Sequence, residues 1–91
     1  YGGEEFLAIL PGASRAEALD IGERLRQSIE QLAINADGID LKVTASIGVA
    51  CLGTDNETAE QLLEHADQAL YQAKAKGRNR VGIHPLAPAG T

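Results

Sequence analysis

The chain has 91 residues, 44% of them hydrophobic and 23% charged, a composition that fits one small globular domain or part of one and excludes a multidomain, fibrous or disordered protein. Three aromatic residues and no tryptophan argue against a base-stacking nucleic-acid surface, and the single cysteine, Cys51, can form neither an internal disulfide nor a metal cage, which fits a reducing compartment. The net charge of −5 is uneven: residues 1–73 hold 13 acidic and 4 basic side chains, for −9, and residues 74–91 hold 4 basic and none acidic, for +4.

Gly2 and Gly3 precede Glu4 and Glu5 at the mouth of the first apolar run. Two permissive backbone positions followed by two carboxylates read either as a solvated hairpin turn or as a site where a phosphate nears the backbone and one carboxylate binds Mg²⁺ or Mn²⁺. Adjacent residues in extended chain point to different sides, so Glu4 and Glu5 need not share one metal. Phe6 to Leu10 is a continuous apolar run ending at Pro11-Gly12 and suits a buried strand. Ser14 and Glu17 have capping-box spacing, so a helix starts there. Ala18, Ile21, Leu25, Ile29 and Leu32 give it an apolar stripe through about Ala33, with Arg24, Arg26 and Glu30 off the stripe.

Asn35 to Asp40 carries turn formers. Val43, Ala45, Ile47 and Val49 then alternate with Thr44, Ser46 and Gly48, a strand whose second face is small enough for a helix to pack closely, with Gly48 permitting backbone approach. Cys51 reads as an ordinary half-buried thiol. Thr58 and Gln61 repeat the capping-box spacing, and Leu62, Ala66, Ala69, Leu70 and Ala73 form the next helical stripe, closed by Gly77. His65 lies beside that stripe and reads as structural or solvent-facing. Arg80 to His84 forms a short edge strand with Val81 and Ile83 inward, and residues 85–91 form a flexible tail or linker. The basic cluster Lys74, Lys76, Arg78 and Arg80 either complements a helix C-terminus or holds a small polyanion such as a nucleotide phosphate. No apolar run approaches the length of a bilayer span and no signal-peptide pattern opens the chain. The missing initiator Met is read as a start inside a longer protein.

Three blocks in order, Tyr1 to Phe6 (YGGEEF), Val43 to Ala50 (VTASIGVA) and Ala66 to Val81 (ADQALYQAKAKGRNRV), resemble the C-terminal half of a GGDEF domain, the diguanylate cyclase, with Glu4 in place of the motif's Asp. The resemblance implies an α+β, ferredoxin-like palm, of which residues 1–84 are the C-terminal part in strand-helix-strand-helix-strand order. It implies condensation of two GTP into cyclic di-GMP plus pyrophosphate by a cytoplasmic homodimer, with no nucleic-acid partner and no direct membrane contact. Carried over, Glu4 and Glu5 are the catalytic acids, Glu4 ligates Mg²⁺ or Mn²⁺, and Gly2, Gly3, Lys74 and Arg78 bind substrate. Arg24 matches a position that in some members helps bind product at an inhibitory site. The alternative within the family is a catalytically silent domain that senses GTP. The opening strand of such a palm lies between the strands at Phe6 to Leu10 and Val43 to Ala50. Without it the 91 residues are expected to be inactive alone, and either to collapse the gap, to pair with another chain, or to survive only as the ordered part of something longer.

Overall fold

Helix formation begins where the sequence places its caps. Ser14 Oγ accepts from the Glu17 amide at 3.1 Å while Glu17 Oε1 accepts from the Ser14 amide at 2.8 Å, and helix α1 follows over Arg15–Glu30. Thr58 and Gln61 make the same reciprocal pair at 3.1 and 2.9 Å, opening α2 over Ala59–Ala75. Each box satisfies two amides that a helix start leaves without partners. The computed structural model describes residues 2–10, 12–51 and 58–83. Its strands are β1 (Gly2–Leu10), β2 (Ile34–Ala36), β3 (Ile39–Leu41), β4 (Val43–Cys51) and β5 (Val81–Ile83). His84 and the tail at 85–91 lie outside the described residues.

The principal sheet is parallel, in the order β1-β4-β5. A helix crosses between each consecutive pair of its strands, the connection that parallel pairing demands. On one face Ala45, Ile47 and Val49 are fully buried with Ala18 of α1. On the other, Ala50 packs with Leu62 and Ala66 of α2. The result is a mixed α+β arrangement with a helix on each side of the sheet, in the strand-helix-strand-helix-strand order expected.

α2 sits very close. A Cβ added at Gly48 would lie 2.1 Å from the Ala66 carbonyl oxygen and 2.5 Å from the Leu70 nitrogen, and one at Gly82 would lie 2.2 Å from the Ala69 carbonyl oxygen. The helix backbone therefore rests on the sheet backbone, and the stripe Leu62, Ala66, Ala69, Leu70 and Ala73 is buried as the spacing predicts.

Three expectations change. The stripe on α1 holds only in part: Ala18 is buried and Ile29 packs against the core, but Ile21 and Leu25 are 45% and 41% exposed, Leu32 lies past the end of the helix, and the second buried position is Gly22. A Cβ on Gly22 would already meet Val81 Cγ1 at 3.0 Å and Val49 Cγ2 at 3.1 Å, so Ala18 and Gly22 make the closest approach to the sheet, while Ile21 and Leu25 turn aside. Arg26, placed off the stripe, shares the sheet-facing side, its side chain 14% exposed. The Asn35 to Asp40 turn is a complete hairpin, in which β2 and β3 pair antiparallel around Asp37 at φ 53° and Gly38 at φ 80°. Positive φ at both residues of an Asp-Gly pair is what a tight right-twisted hairpin requires. Finally, β1 and β4 are not held apart. They pair directly along nine registered positions from Gly2↔Val43 to Leu10↔Cys51, where a third strand was expected between them. The other side of β1 remains an edge, beside Phe6, Leu7 and Ile9 at 37–40% exposure.

Replacing Gly48 by Ala is expected to destabilise the fold by roughly 3 kcal/mol, because the obstructing atoms are helix backbone that cannot rotate away. Gly3→Ala, whose added Cβ meets nothing nearer than Thr44 Oγ1 at 4.0 Å, is expected to stay within about 0.5 kcal/mol of the parent. Urea denaturation of both variants checks the contrast, and equal losses would refute it.

Candidate functional site

The two glycines and two glutamates lie within β1, in register with Val43 to Ser46. The hairpin-turn reading of Gly2 to Glu5 is thereby corrected: all four residues are extended chain, because parallel pairing with β4 continues back to Gly2. Strand alternation then separates the carboxylates as expected. Glu4 is registered with Ala45, on the α1 face, and Glu5 with Ser46, on the α2 face. Both are exposed. Gly3 is the second residue of β1, and a Cβ there would meet only Thr44 Oγ1, at 4.0 Å. Glycine weakens a strand, and nothing in the fold calls for one at this position.

Glu5 is where β1 meets the close of α2. Lys74 Nζ approaches Glu5 Oε1 at 3.2 Å, and Arg78 Nη1 approaches Oε2 at 3.5 Å. The Lys74 hydrogen bond, opposed by partial desolvation and aided by the charges of Lys74 and Arg78, lowers the Glu5 carboxyl below its ordinary range. Lys74 stands on the last turn of α2. Arg78 is delivered by the helix stop: the Gly77 amide donates to the Lys74 carbonyl at 3.3 Å and the Arg78 amide to the Ala73 carbonyl at 3.0 Å, the paired bonds of a Schellman closure. Gly77 at φ 122° supplies the positive φ foreseen there, and Arg78 at φ 62° and Asn79 at φ 47° continue it. Arg80 Nε donates to the Arg78 carbonyl at 3.1 Å. The structure thus brings together Glu5, Lys74 and Arg78 at the amino-terminal edge of the sheet, and places Glu4 on the opposite face.

Arg24 is elsewhere. Its guanidinium lies 78% exposed on α1, 3.1 Å from Asp20. Cys51 is a half-buried free thiol, and His65 is half-buried on α2. Among the described residues no helix is long and apolar enough to cross a membrane.

Sequence reasoning missed a second polar group beside the cations. Arg26 binds Glu23 through Nε at 2.8 Å and also through its Nη2, Glu30 through Nη1 at 3.2 Å, and Asn79 Oδ1 at 2.9 Å. Asn79 Nδ2 donates to Glu30 Oε2 at 2.7 Å, and its amide donates to the buried Ser46 hydroxyl at 3.1 Å. The Asn79 hydrogen bond, followed by that of Arg26, lowers the Glu30 carboxyl, and the Arg26 hydrogen bond chiefly lowers Glu23. One signal was present: Arg26 follows Ala18 and Gly22 at steps of four, the spacing of one helix face.

A divalent metal was expected at Glu4. Among the described residues no three His, Cys, Asp or Glu side chains gather into a metal cluster, and Glu5 is already neutralised by two cations. Glu4 remains as one exposed hard-oxygen donor. That fits a Mg²⁺ ion, which keeps several waters and takes only one or two carboxylates with substrate phosphates, provided the other ligands come from elsewhere.

The chain resembles known proteins along most of its length. Residues 1–80 match the family model described as diguanylate cyclase, GGDEF domain. Diguanylate cyclase A of Treponema denticola is 47% identical over 83 residues, 91% of this chain and 22% of the relative. Response regulator PleD of Caulobacter vibrioides is 47% identical over 83 residues, 89% of this chain and 18% of the relative. Diguanylate cyclase DosC of Escherichia coli is 43% identical over 84 residues, 91% of this chain and 18% of the relative. The chain therefore spans about a fifth of the length of these relatives. With the family model covering the glutamates on β1, the β4 strand beside them and the cations that close α2, this chain belongs to the GGDEF diguanylate cyclase family.

Proposed function

We propose that the chain serves a diguanylate cyclase that condenses two GTP molecules into cyclic di-GMP. In each half-reaction the ribose 3′-oxygen of one nucleotide bonds to the α-phosphorus of the other, the bond from that phosphorus to the bridging oxygen of the leaving pyrophosphate breaks, and the hydroxyl proton departs to a base. Two such steps close the ring and release two pyrophosphates. The observation that carries this reading is the convergence of Lys74 and Arg78 on one carboxylate beside a glycine, Gly3, that the fold does not itself require.

Phosphoryl-type transfer asks a protein mainly for positioning and charge neutralisation. Lys74 offers a compact ammonium and Arg78 a planar fork, and together they suit the terminal phosphates of a nucleotide. Gly2 and Gly3 let a nucleotide lie against β1 without a side-chain clash. Glu4, on the other face, holds Mg²⁺ or Mn²⁺ when the ion is bound, and the ion supplies neutralisation of the charge that develops on the phosphates. Glu5 is the second acidic member, and its role here is to hold the two cations together. The product, with its two-fold symmetry, calls for two copies of the site facing each other, hence a homodimer during turnover. Arg24, exposed on α1, is available to product at an inhibitory site. The reaction is placed in the cytoplasm. Residues 1–91 alone, with one metal carboxylate and one phosphate cluster, are expected to turn over no GTP.

In the full-length protein carrying this chain, Glu4→Gln is expected to lower cyclic di-GMP synthesis by about 100-fold or more, the scale for removing a charge that serves a metal-bound transition state. Its melting temperature should not move, since Glu4 is exposed and outside the core. Wild-type turnover in that variant would remove Glu4 from the mechanism. Lys74→Ala and Arg78→Ala should each weaken GTP binding while leaving guanosine binding in place. Calorimetric titration with both ligands reads the difference, and parallel loss for the two ligands would exclude a phosphate contact.

A further inference from the structure

Arg78 and Asn79 hold positive φ in succession without being glycine. L-residues resist this conformation, asparagine much less than arginine. Something must therefore hold the pair. Arg78 donates its backbone amide to the Ala73 carbonyl, accepts from Arg80 Nε at its own carbonyl and pairs its guanidinium with Glu5. Asn79 is fixed at three points: its amide on Ser46 Oγ, its Oδ1 on Arg26 Nη1, and its Nδ2 on Glu30 Oε2. Ser46 belongs to β4 and is 2% exposed. Arg26 and Glu30 belong to α1, across the sheet from α2. Among the described residues the side chains of Arg26, Glu30 and Asn79 make no bond to the side chains of Glu5, Lys74 or Arg78.

We propose that Asn79, clamped by Arg26 and Glu30, is a positioning residue that aims the Arg78 guanidinium at the phosphates of the bound nucleotide, an inference that rests on the phosphate-binding reading of Lys74 and Arg78. The clamp suits a side-chain amide specifically. Its oxygen accepts from a guanidinium while its nitrogen donates to a carboxylate, and a single amide carries both capacities on a short side chain that tolerates left-handed backbone. Aspartate would satisfy Arg26 but turn an acceptor toward Glu30. Glycine would take the same φ and lose both side-chain bonds. If the backbone at Asn79 relaxes, the chain leaving α2 takes another direction, and Arg78 is carried away from Glu5 and Lys74 even though its own side chain is intact.

The test uses the full-length protein and 3′-deoxy-GTP, which keeps the triphosphate but lacks the attacking hydroxyl, with guanosine as the reference ligand. Asn79→Gly and Asn79→Asp are each expected to weaken 3′-deoxy-GTP about tenfold and guanosine by less than about twofold, the range of coupling between bonded neighbours. Adding Glu30→Gln to Asn79→Asp restores a donor opposite an acceptor and should recover most of the lost affinity, which a general loss of fold would not allow. Because Asn79 acts through Arg78, Asn79→Gly should cost nothing further in an Arg78→Ala background. If Arg78→Ala weakens 3′-deoxy-GTP but Asn79→Gly does not, or if the two losses add, the positioning role is overturned and the phosphate reading stands. If Arg78→Ala leaves 3′-deoxy-GTP affinity unchanged, the phosphate reading itself fails and the inference falls with it.

Discussion

The contact on which the rest of the structure depends is the seating of α2 directly on the backbone of β4 and β5. Gly48 and Gly82 leave no room for a methyl group beneath the carbonyls of Ala66 and Ala69, and the helix presents Ala66, Ala69 and Ala73 to them. Larger side chains could slide past one another, but backbone against backbone sets both the height and the axial position of the helix. Lys74 follows Ala73 by one residue, so fixing the alanine stripe fixes where the ammonium stands relative to Glu5. The packing of small residues is therefore also the placement of the cations.

Strand alternation in β1 divides the work of its two glutamates. Glu5, on the α2 face, is held by Lys74 and Arg78 with its carboxyl kept below the ordinary range. Glu4, on the α1 face, makes no ion pair among the described residues and is open to another partner. If both carboxylates stood on one face, a divalent ion and two cations would contend for the same oxygens at close range. The cations are also placed at a helix C-terminus, whose dipole favours positive charge and would repel an approaching anion. Lys74 and Arg78 reverse the sign of that end of the helix, and Glu5 keeps them converged.

Much of this was legible in the sequence where local chemistry decides the outcome. Ser14 with Glu17 and Thr58 with Gln61 announced both helix starts, and the alternation from Val43 to Val49 announced the central strand. The five-residue stripe on α2 was also read correctly, because alanine and leucine there have one plausible use. The stripe on α1 was misread because apolarity and proximity point in different directions: Ile21 and Leu25 are more hydrophobic, but Ala18 and Gly22 are small enough to approach Val49 and Val81. The Asn35 to Asp40 segment showed its turn residues but not its pairing, which depends on Asn35 Nδ2 donating to Asp40 Oδ1 across three-residue strands. At the site, Glu5 and the basic cluster holding Lys74 and Arg78 could each be singled out locally, but not their convergence, since 69 positions separate Glu5 from Lys74. Arg26 and Asn79 lay hidden for the same reason, their bond spanning 53 residues.

The two helices are joined to the sheet by different physics, and the difference matters at the loop between α2 and β5. α2 is held by non-directional contact along a close-packed stripe, which resists compression but says little about the orientation of the chain that follows it. α1 meets the sheet with only Ala18 and Gly22 buried, and adds a directional tie through Arg26 and Glu30. Hydrogen bonds to charged groups are short and angularly selective, and a network of them specifies one geometry where apolar burial would accept several. Asn79 is tied by hydrogen bonds to both faces of the sheet, its backbone amide to Ser46 of β4 on the α2 face and its side chain to α1 on the other. The one-residue step from Asn79 back to Arg78 is therefore the place where a rigid scaffold is converted into the position of a single guanidinium.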